Sequence, residues 1–465
     1  MDVIAKRQAL QGHIQVPGSK SHTIRALILA TLAEGRSSIH NPLPSADCLS
    51  TAAAVPLIGA EIDLDLNTEG EMGTTWVVDG AGENLHLPTD IVNVGNSGSL
   101  LYFLSPIAAT FDGWSIFTGD ESIRKRPVQH VVDVINQMGA RAFISQPQSM
   151  SCPLLVRGPI TKANKVVTPG NVSSQYISGL MMTALRLQNT LEIELTDPKE
   201  TPYLTMTQKW LERVGATVSI SPDFKHISVT APAALPAFDC TIPSDWEAVA
   251  FPLIAALLSD SHIIIDNIDG SGTQGDDAIV AILQSVGADI TWDKTAETIT
   301  VRGGAKAKDG IGRLSTAKLP GGELHVALSP FPDAICALAV AACFIEGTTV
   351  LEDAAVCRRK ETDRIAAMAQ ILSWLGADVQ EEKDALIIHG HSPVNENGTR
   401  NPAFRLHGGT TESYGDHRIA MALACFGLGL RGDEQVTIRH AECCDVSFPH
   451  FFDVMNEIGA EFKKR

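Results

Sequence analysis

The dipeptide Gly-Ala recurs six times in this chain, at Gly59-Ala60, Gly139-Ala140, Gly215-Ala216, Gly287-Ala288, Gly376-Ala377 and Gly459-Ala460, at intervals of 80, 76, 72, 89 and 83 residues. Each copy follows an amphipathic helical pattern and precedes an alternating, strand-like one: Val131, Ile135 and Met138 lead into Gly139, Ile282 and Val286 into Gly287, Ile371 and Leu375 into Gly376. A helix ending there needs a left-handed residue, a conformation glycine adopts without the Cβ clash. Six such signals at nearly even spacing predict six copies of one structural unit.

The front of each unit repeats as well. A polar turn opens an apolar helix at Ser21 (24–32), Ser97-Gly98-Ser99 (100–109), Ser173-Ser174-Gln175 (177–185), Ser244-Asp245 (248–258), Pro332-Asp333 (334–345) and Asp416-His417-Arg418 (419–428). Each unit therefore reads as a turn, a buried helix, a strand, a second helix, Gly-Ala and two strands, which is an α/β (α+β) pattern of the βαβαββ type. The first helix is apolar on nearly every side, as in 337–342, and should be buried among the other elements. The last unit ends one strand short at Arg465, and 13–16 is expected to supply that strand. Pro232, Pro236 and Pro243 interrupt the pattern between the third and fourth units. The expected organisation is two domains of three units each, 19–240 and 1–18 plus 241–465, with hinge crossings near 18–20 and 239–243.

A length of 465 residues predicts two to four domains, and an apolar content of 44% is ample to bury sizeable cores. No apolar run reaches the ~18 residues of a membrane span, and 1–11 lacks a charged-then-apolar leader, so a soluble cytoplasmic protein is expected. Nine cysteines occur without a CxxC spacing. Cys336, Cys343 and Cys425 lie in apolar helical runs and read as small hydrophobes, and Cys443-Cys444 are adjacent, so reduced thiols and no metal are expected. A net charge of −18 argues against nucleic acid as a partner. Any anion site must be a local basic cluster.

Such clusters occur at helix starts. Lys20, Ser21 and Arg25 open the first buried helix, Arg124-Lys125-Arg126 precedes the second helix of the second unit, Arg358-Arg359-Lys360 to Arg364 opens that of the fifth, and Arg418 enters the last buried helix behind Asp416. Cations oppose the dipole at a helix N-terminus, and a bound anion removes the conflict. The expected site is a cleft lined by Lys20, Arg25, Arg126, Lys360, Arg364 and Arg418, holding more than one phosphate or carboxylate. Two carboxylates stand against this background. Asp333 and Glu361 read either as helix-start acids or, in a water-excluding cleft, as proton-transfer groups.

Pro17-Gly18-Ser19-Lys20-Ser21 with Arg25, Gly95-Asn96-Ser97-Gly98-Ser99, Arg126-Pro127, Ser173-Ser174-Gln175, Pro332-Asp333-Ala334, Lys360-Glu361-Thr362-Asp363-Arg364 and Asp416-His417-Arg418 stand in the order of the motifs of the 5-enolpyruvylshikimate-3-phosphate (EPSP) synthase family, which the chain resembles along its whole length. The resemblance implies the two-domain enolpyruvyl-transferase fold of six repeats, three per domain, with no metal or other cofactor. It implies small-molecule substrates, phosphoenolpyruvate and shikimate 3-phosphate, and no nucleic-acid or membrane partner; a monomer is expected. Carried onto this sequence, Lys20, Asn96, Gly98, Arg126, Gln175, Arg364 and Arg418 would hold phosphoenolpyruvate. Lys20, Ser21, Arg25, Ser173, Ser174, Gln175, Tyr203, Asp333 and Lys360 would hold shikimate 3-phosphate. Asp333, Glu361 and Lys20 would carry the chemistry.

The sequence departs from the family pattern at Ser99 (for Thr), Tyr102 (for Arg), Glu200 (for a phosphate-binding Ser), Val356 (for a polar residue) and Val446 (for Lys). An acid at 200 would repel the 3-phosphate, so the loop shifts or the contact is lost. Two alternatives remain. UDP-N-acetylglucosamine enolpyruvyl transferases share fold and cosubstrate but typically carry a reactive Cys in the loop corresponding to 113–126, where this chain has none, and lack the Asp-His-Arg motif. A non-catalytic anion-binding protein on the same scaffold is the other.

Overall fold

The computed structural model describes residues 1–65, 74–146, 148–162 and 165–465. The chain forms two compact units, Gly18–Pro243 and Met1–Pro17 with Ser244–Arg465. The boundary falls after Pro243 because Asp239–Thr241 pairs in parallel with Glu34–His40 and so stays with the first unit.

Among the described residues each unit holds three four-stranded sheets, and all six follow one plan. In the second sheet the order is Val92–Asn93, Gly113–Thr118, Leu154–Gly158, Arg141–Ile144, the first pair parallel and the others antiparallel. The helix Gly98–Ala108 lies in sequence between the two parallel strands, as a parallel connection requires. The same plan recurs with Ser174–Thr183 between Lys165–Thr168 and Leu191–Leu195, and with Ile335–Cys343 between Glu323–Ala327 and Gly347–Glu352.

The chain start is used twice, and not as the sequence led us to expect. Val3–Lys6 completes the last sheet, lying between Gln435–Arg439 and Lys463–Lys464. The segment expected to do so instead forms Gln11–Gln15, the parallel edge of the fourth sheet against His262–Asp266. Burial explains the assignment. Val3, Ile4 and Ala5 are all buried, as a central strand requires, whereas Gln11–Gln15 buries only Ile14 and suits an edge.

All six glycines of the Gly-Ala pairs have φ between 81° and 105°. Any other residue would carry Cβ strain there. The first helix of each repeat is nearly or fully buried; every residue of Gly98–Ala108, Ile335–Cys343 and His417–Gly429 is buried. These helices pack at backbone contact. A Cβ on Gly179 would run into the carbonyl oxygen of Tyr102, and one on Gly427 would stand 2.6 Å from the Ala5 Cβ. Each unit has its own apolar cluster. The nine cysteines are thiols outside any disulfide, and burial pushes those of Cys343 and Cys425 well above the usual range. Among the described residues no helix is long and apolar enough to cross a membrane.

Candidate active site

Within Gly18–Pro243 the buried helices bring their first turns together. Arg25, one turn into Lys20–Leu32 and 1% exposed, binds across three helices. Its Nε donates to Thr207 Oγ1 at 2.9 Å, Nη1 to the Ser21 carbonyl at 2.9 Å, and Nη2 to Ser178 Oγ at 3.3 Å and the Tyr203 carbonyl at 3.4 Å. The guanidinium also lies 5.0 Å from the centre of the Phe103 ring. These partners are neutral. Burial therefore dominates and pulls the Arg25 pKa down from 12.5 to about 10, with Tyr203 opposing. Lys20, the first residue of the same helix, has Nζ 3.4 Å from Asp47 Oδ2.

The Gly98–Ala108 helix is capped by Ser97, whose hydroxyl accepts from Leu100 N. Asn96, just before it, donates to Asp120 at 2.7 Å and accepts from Arg126 Nη2 at 3.4 Å. A Cβ at Gly98 would stand 2.9 Å from Arg126 Nη1 and 3.6 Å from Gln175 Oε1. Gly98, Arg126 and Gln175 thus share one small space, and glycine keeps it open. Tyr102 is buried, and its hydroxyl donates to the Pro127 carbonyl, tying the helix to the loop that carries Arg126.

Ser173 caps Ser174–Thr183 by accepting from Gln175 N at 3.2 Å. The same helix start is occupied by an acid. Glu200 Oε2 accepts from Ser174 N at 2.8 Å, Ser174 Oγ at 2.9 Å and Ser173 Oγ at 3.4 Å. Tyr203 follows in the first turn of Thr201–Arg213 and is buried.

In the other unit the centre is Asp333, in a short helical turn before Ile335–Cys343. Three cations meet it: Lys360 Nζ at 3.3 Å, Arg418 Nε at 3.2 Å and Arg364 Nη1. Arg364 is fully buried at the start of Arg364–Trp374, and also donates to Glu361 at 2.6 Å and to both oxygens of Asp416 at 2.8 and 3.2 Å. Burial works against its charge, but Asp416, Glu361 and Asp333 outweigh it and hold its pKa well above the usual value. Asp416 is also the cap of His417–Gly429, accepting from Arg418 N at 2.9 Å. Arg418 Nη2 pairs with Glu247, in the first turn of Trp246–Leu257. Three cations and four carboxylates therefore interlock across the starts of four helices, a charge cluster able to exchange its internal partners for ligand anions.

The structure thus gathers Lys20, Ser21, Arg25, Ser173, Ser174 and Tyr203 with Asn96, Gly98, Arg126 and Gln175 in one unit, and Asp333, Lys360, Glu361, Arg364 and Arg418 in the other. Sequence reasoning missed Asp47, Asp120, Ser178, Thr207 and Glu247, and gave Asp416 only a capping role. Thr207 and Ser178 lie more than 150 residues from Arg25, and Glu247 as far from Arg418, and no local pattern marks such pairs. Val356 is buried in the short helix before Lys360, and Val446 ends another short helix before Ser447.

The family model described as EPSP synthase (3-phosphoshikimate 1-carboxyvinyltransferase) matches residues 4–455. The chain belongs to the EPSP synthase family. Proteins named 3-phosphoshikimate 1-carboxyvinyltransferase from Acetivibrio thermocellus and Methanococcus maripaludis strain C7 are 34% and 35% identical to it, with 98% and 100% of both chains covered. Among solved structures, EPSP synthase from Acinetobacter baumannii matches with a TM-score of 0.79 and 26% identity over 99% of each chain. The enolpyruvyl transferase NikO from Streptomyces tendae shares the fold, with a TM-score of 0.74 at 17% identity over 99% of this chain and 98% of its own. In this EPSP synthase family member Lys20, Arg25, Arg126, Asp333, Lys360, Arg364 and Arg418 of the motif series lie in the two helix-start clusters, where Asp47, Thr207 and Glu247 from outside the motifs join them.

Proposed function

We propose that this chain transfers the enolpyruvyl group of phosphoenolpyruvate to the 5-hydroxyl of shikimate 3-phosphate and releases phosphate, as a cytoplasmic monomer whose two units are the two domains joined by the crossings near 18–20 and 239–243. The observation that carries the chemistry is Asp333 held by Lys360, Arg364 and Arg418. Two polyanions repel, so their reaction requires cations held close together, and Lys360, Arg364 and Arg418 already converge on one point.

In the proposed mechanism Lys20, Asn96, Gly98, Arg126, Gln175, Arg364 and Arg418 hold phosphoenolpyruvate. Ser21, Arg25, Ser173, Ser174, Gln175, Tyr203 and Lys360 hold the acceptor, with Lys20 and Asp333 beside its reacting hydroxyl. As Arg364 and Arg418 turn to the incoming anion, Asp333 is released to accept the hydroxyl proton. The oxygen attacks C2, and Glu361, assisted by Lys20, gives a proton to the methylene carbon. In the second step the C2–O bond to phosphate breaks as Asp333 gives its proton to the leaving phosphate, and the methyl group returns a proton to Glu361.

The test is phosphate release from the substrate pair, with each substrate omitted in turn. Turnover should require both, and Asp333→Asn should lower kcat about 10²–10⁴-fold while KM moves severalfold at most. No phosphate from this pair, or an Asp333→Asn variant with normal kcat, overturns the proposal; release with UDP-N-acetylglucosamine instead would favour the related transferase.

A further inference from the structure

Glu200 is an acid placed among the hydroxyls of Ser173 and Ser174, which the family resemblance assigns to the acceptor's 3-phosphate. It is 2% exposed, and its backbone is left-handed at φ 53°, an uncommon conformation for a residue with a Cβ. That geometry turns its carboxylate onto the first turn of Ser174–Thr183, where a single oxygen, Oε2, takes the Ser174 amide, the Ser174 hydroxyl and the Ser173 hydroxyl. A helix start with two hydroxyls is a place for an anion. Here the chain supplies that anion itself.

On the reading given under Proposed function, we infer that Glu200 is a specificity-determining residue: its carboxylate occupies the acceptor's phosphate subsite and must be displaced before the 3-phosphate can dock. A phosphate monoester carries between one and two negative charges at neutral pH. It cannot share Ser173 Oγ, Ser174 Oγ and Ser174 N with a carboxylate at hydrogen-bond distance, because like charges that close repel strongly in a buried setting. Displacement breaks three hydrogen bonds, two of them shorter than 3.0 Å. Glu200 therefore weakens binding of the phosphorylated acceptor and narrows its preference over the unphosphorylated ring, which leaves the carboxylate in place.

Isothermal titration of shikimate 3-phosphate, and separately of shikimate, into the intact wild type, Glu200→Gln and Glu200→Ser reads this directly. The glutamine variant keeps the shape and removes the charge; the serine variant restores a donor and opens the space. Both should bind shikimate 3-phosphate at least tenfold more tightly. Shikimate affinity and the KM for phosphoenolpyruvate should move less than threefold. If both variants, folded as wild type by circular dichroism and thermal melting, bind shikimate 3-phosphate no more tightly or more weakly, the inference is overturned. Wild-type phosphate release judges the reaction itself: a chain that releases none fails the reading of the reaction, while the titrations, which need no turnover, still decide the role of Glu200.

Discussion

Arg25 and Arg364 are both buried arginines, and their surroundings differ in sign. Arg364 is met by three carboxylates, whereas Arg25 donates to two hydroxyls and two carbonyls. With a folded pKa of about 10 against 12.5 unfolded, the Arg25 charge costs about 3 kcal/mol of stability. Because the folded value is the lower one, that cost is fully present below pH ~10 and disappears as pH rises toward 12.5. Arg25→Met should therefore unfold in urea at a denaturant midpoint no lower than wild type at pH 8, and any advantage should shrink by pH 10.5. Ser178 and Thr207 still bond each other at 2.8 Å, so the truncation strands neither. The same variant should lose at least tenfold in acceptor affinity. A variant clearly less stable than wild type at pH 8 would show that Arg25 supports the fold rather than awaiting an anion.

The elements were the most legible part of the sequence. Caps at Ser97, Ser173, Asp245 and Asp416, and the six left-handed glycines, are local signals, because each satisfies backbone groups within one turn of itself. A second glycine series was not legible. Gly80, Gly158, Gly303 and Gly390 each lie where a Cβ would strike a carbonyl oxygen at or just past the end of their repeat's buried helix, Ala33, Ala109, Ala256 and Ala342 respectively. That requirement comes from tertiary packing and leaves no periodic mark. The two series predict different costs within one unit. Gly287→Ala, with φ 99° and its nearest atom, Arg313 O, at 3.6 Å, should cost about 1–2 kcal/mol of unfolding free energy from backbone strain alone. Gly390→Ala should cost about 3 kcal/mol or more, since backbone must move. Equal losses in urea melts would contradict the close helix-to-strand packing. The misplacement of 13–16 has a similar origin: that segment is expected in the last sheet with no strand placed before it, and burial of Val3, Ile4 and Ala5 is what marks Val3–Lys6 as the central one.

At the scale of the whole molecule, sheet completion decides what can fold alone. Gly18–Pro243 contains every strand of its three sheets, with Asp239–Thr241 returning to the first. Ser244–Arg465 lacks Val3–Lys6, which lies between two of its strands, and Gln11–Gln15, an edge. Expressed separately, 18–243 should give a cooperative thermal transition and a native-like circular dichroism spectrum. The 244–465 segment should do so only when 1–17 is attached. A cooperative 244–465 fragment would show that the first strand is dispensable. The cations of the two helix-start clusters, with Asp333 and Glu361, were legible from the motif order; the pairing of Arg364 with Asp416 and of Arg418 with Glu247 was not, because each acid arrives from another repeat.

The central claim is the transfer itself, and NMR of the reaction mixture tests it most directly. With carbon-13-labelled phosphoenolpyruvate, shikimate 3-phosphate and this chain, the vinyl carbons should move from phosphoenolpyruvate to an enol ether on the shikimate ring, with one phosphate released per ether formed. Carbon-13 signal that stays in phosphoenolpyruvate, or that appears as pyruvate while shikimate 3-phosphate is unchanged, would contradict it.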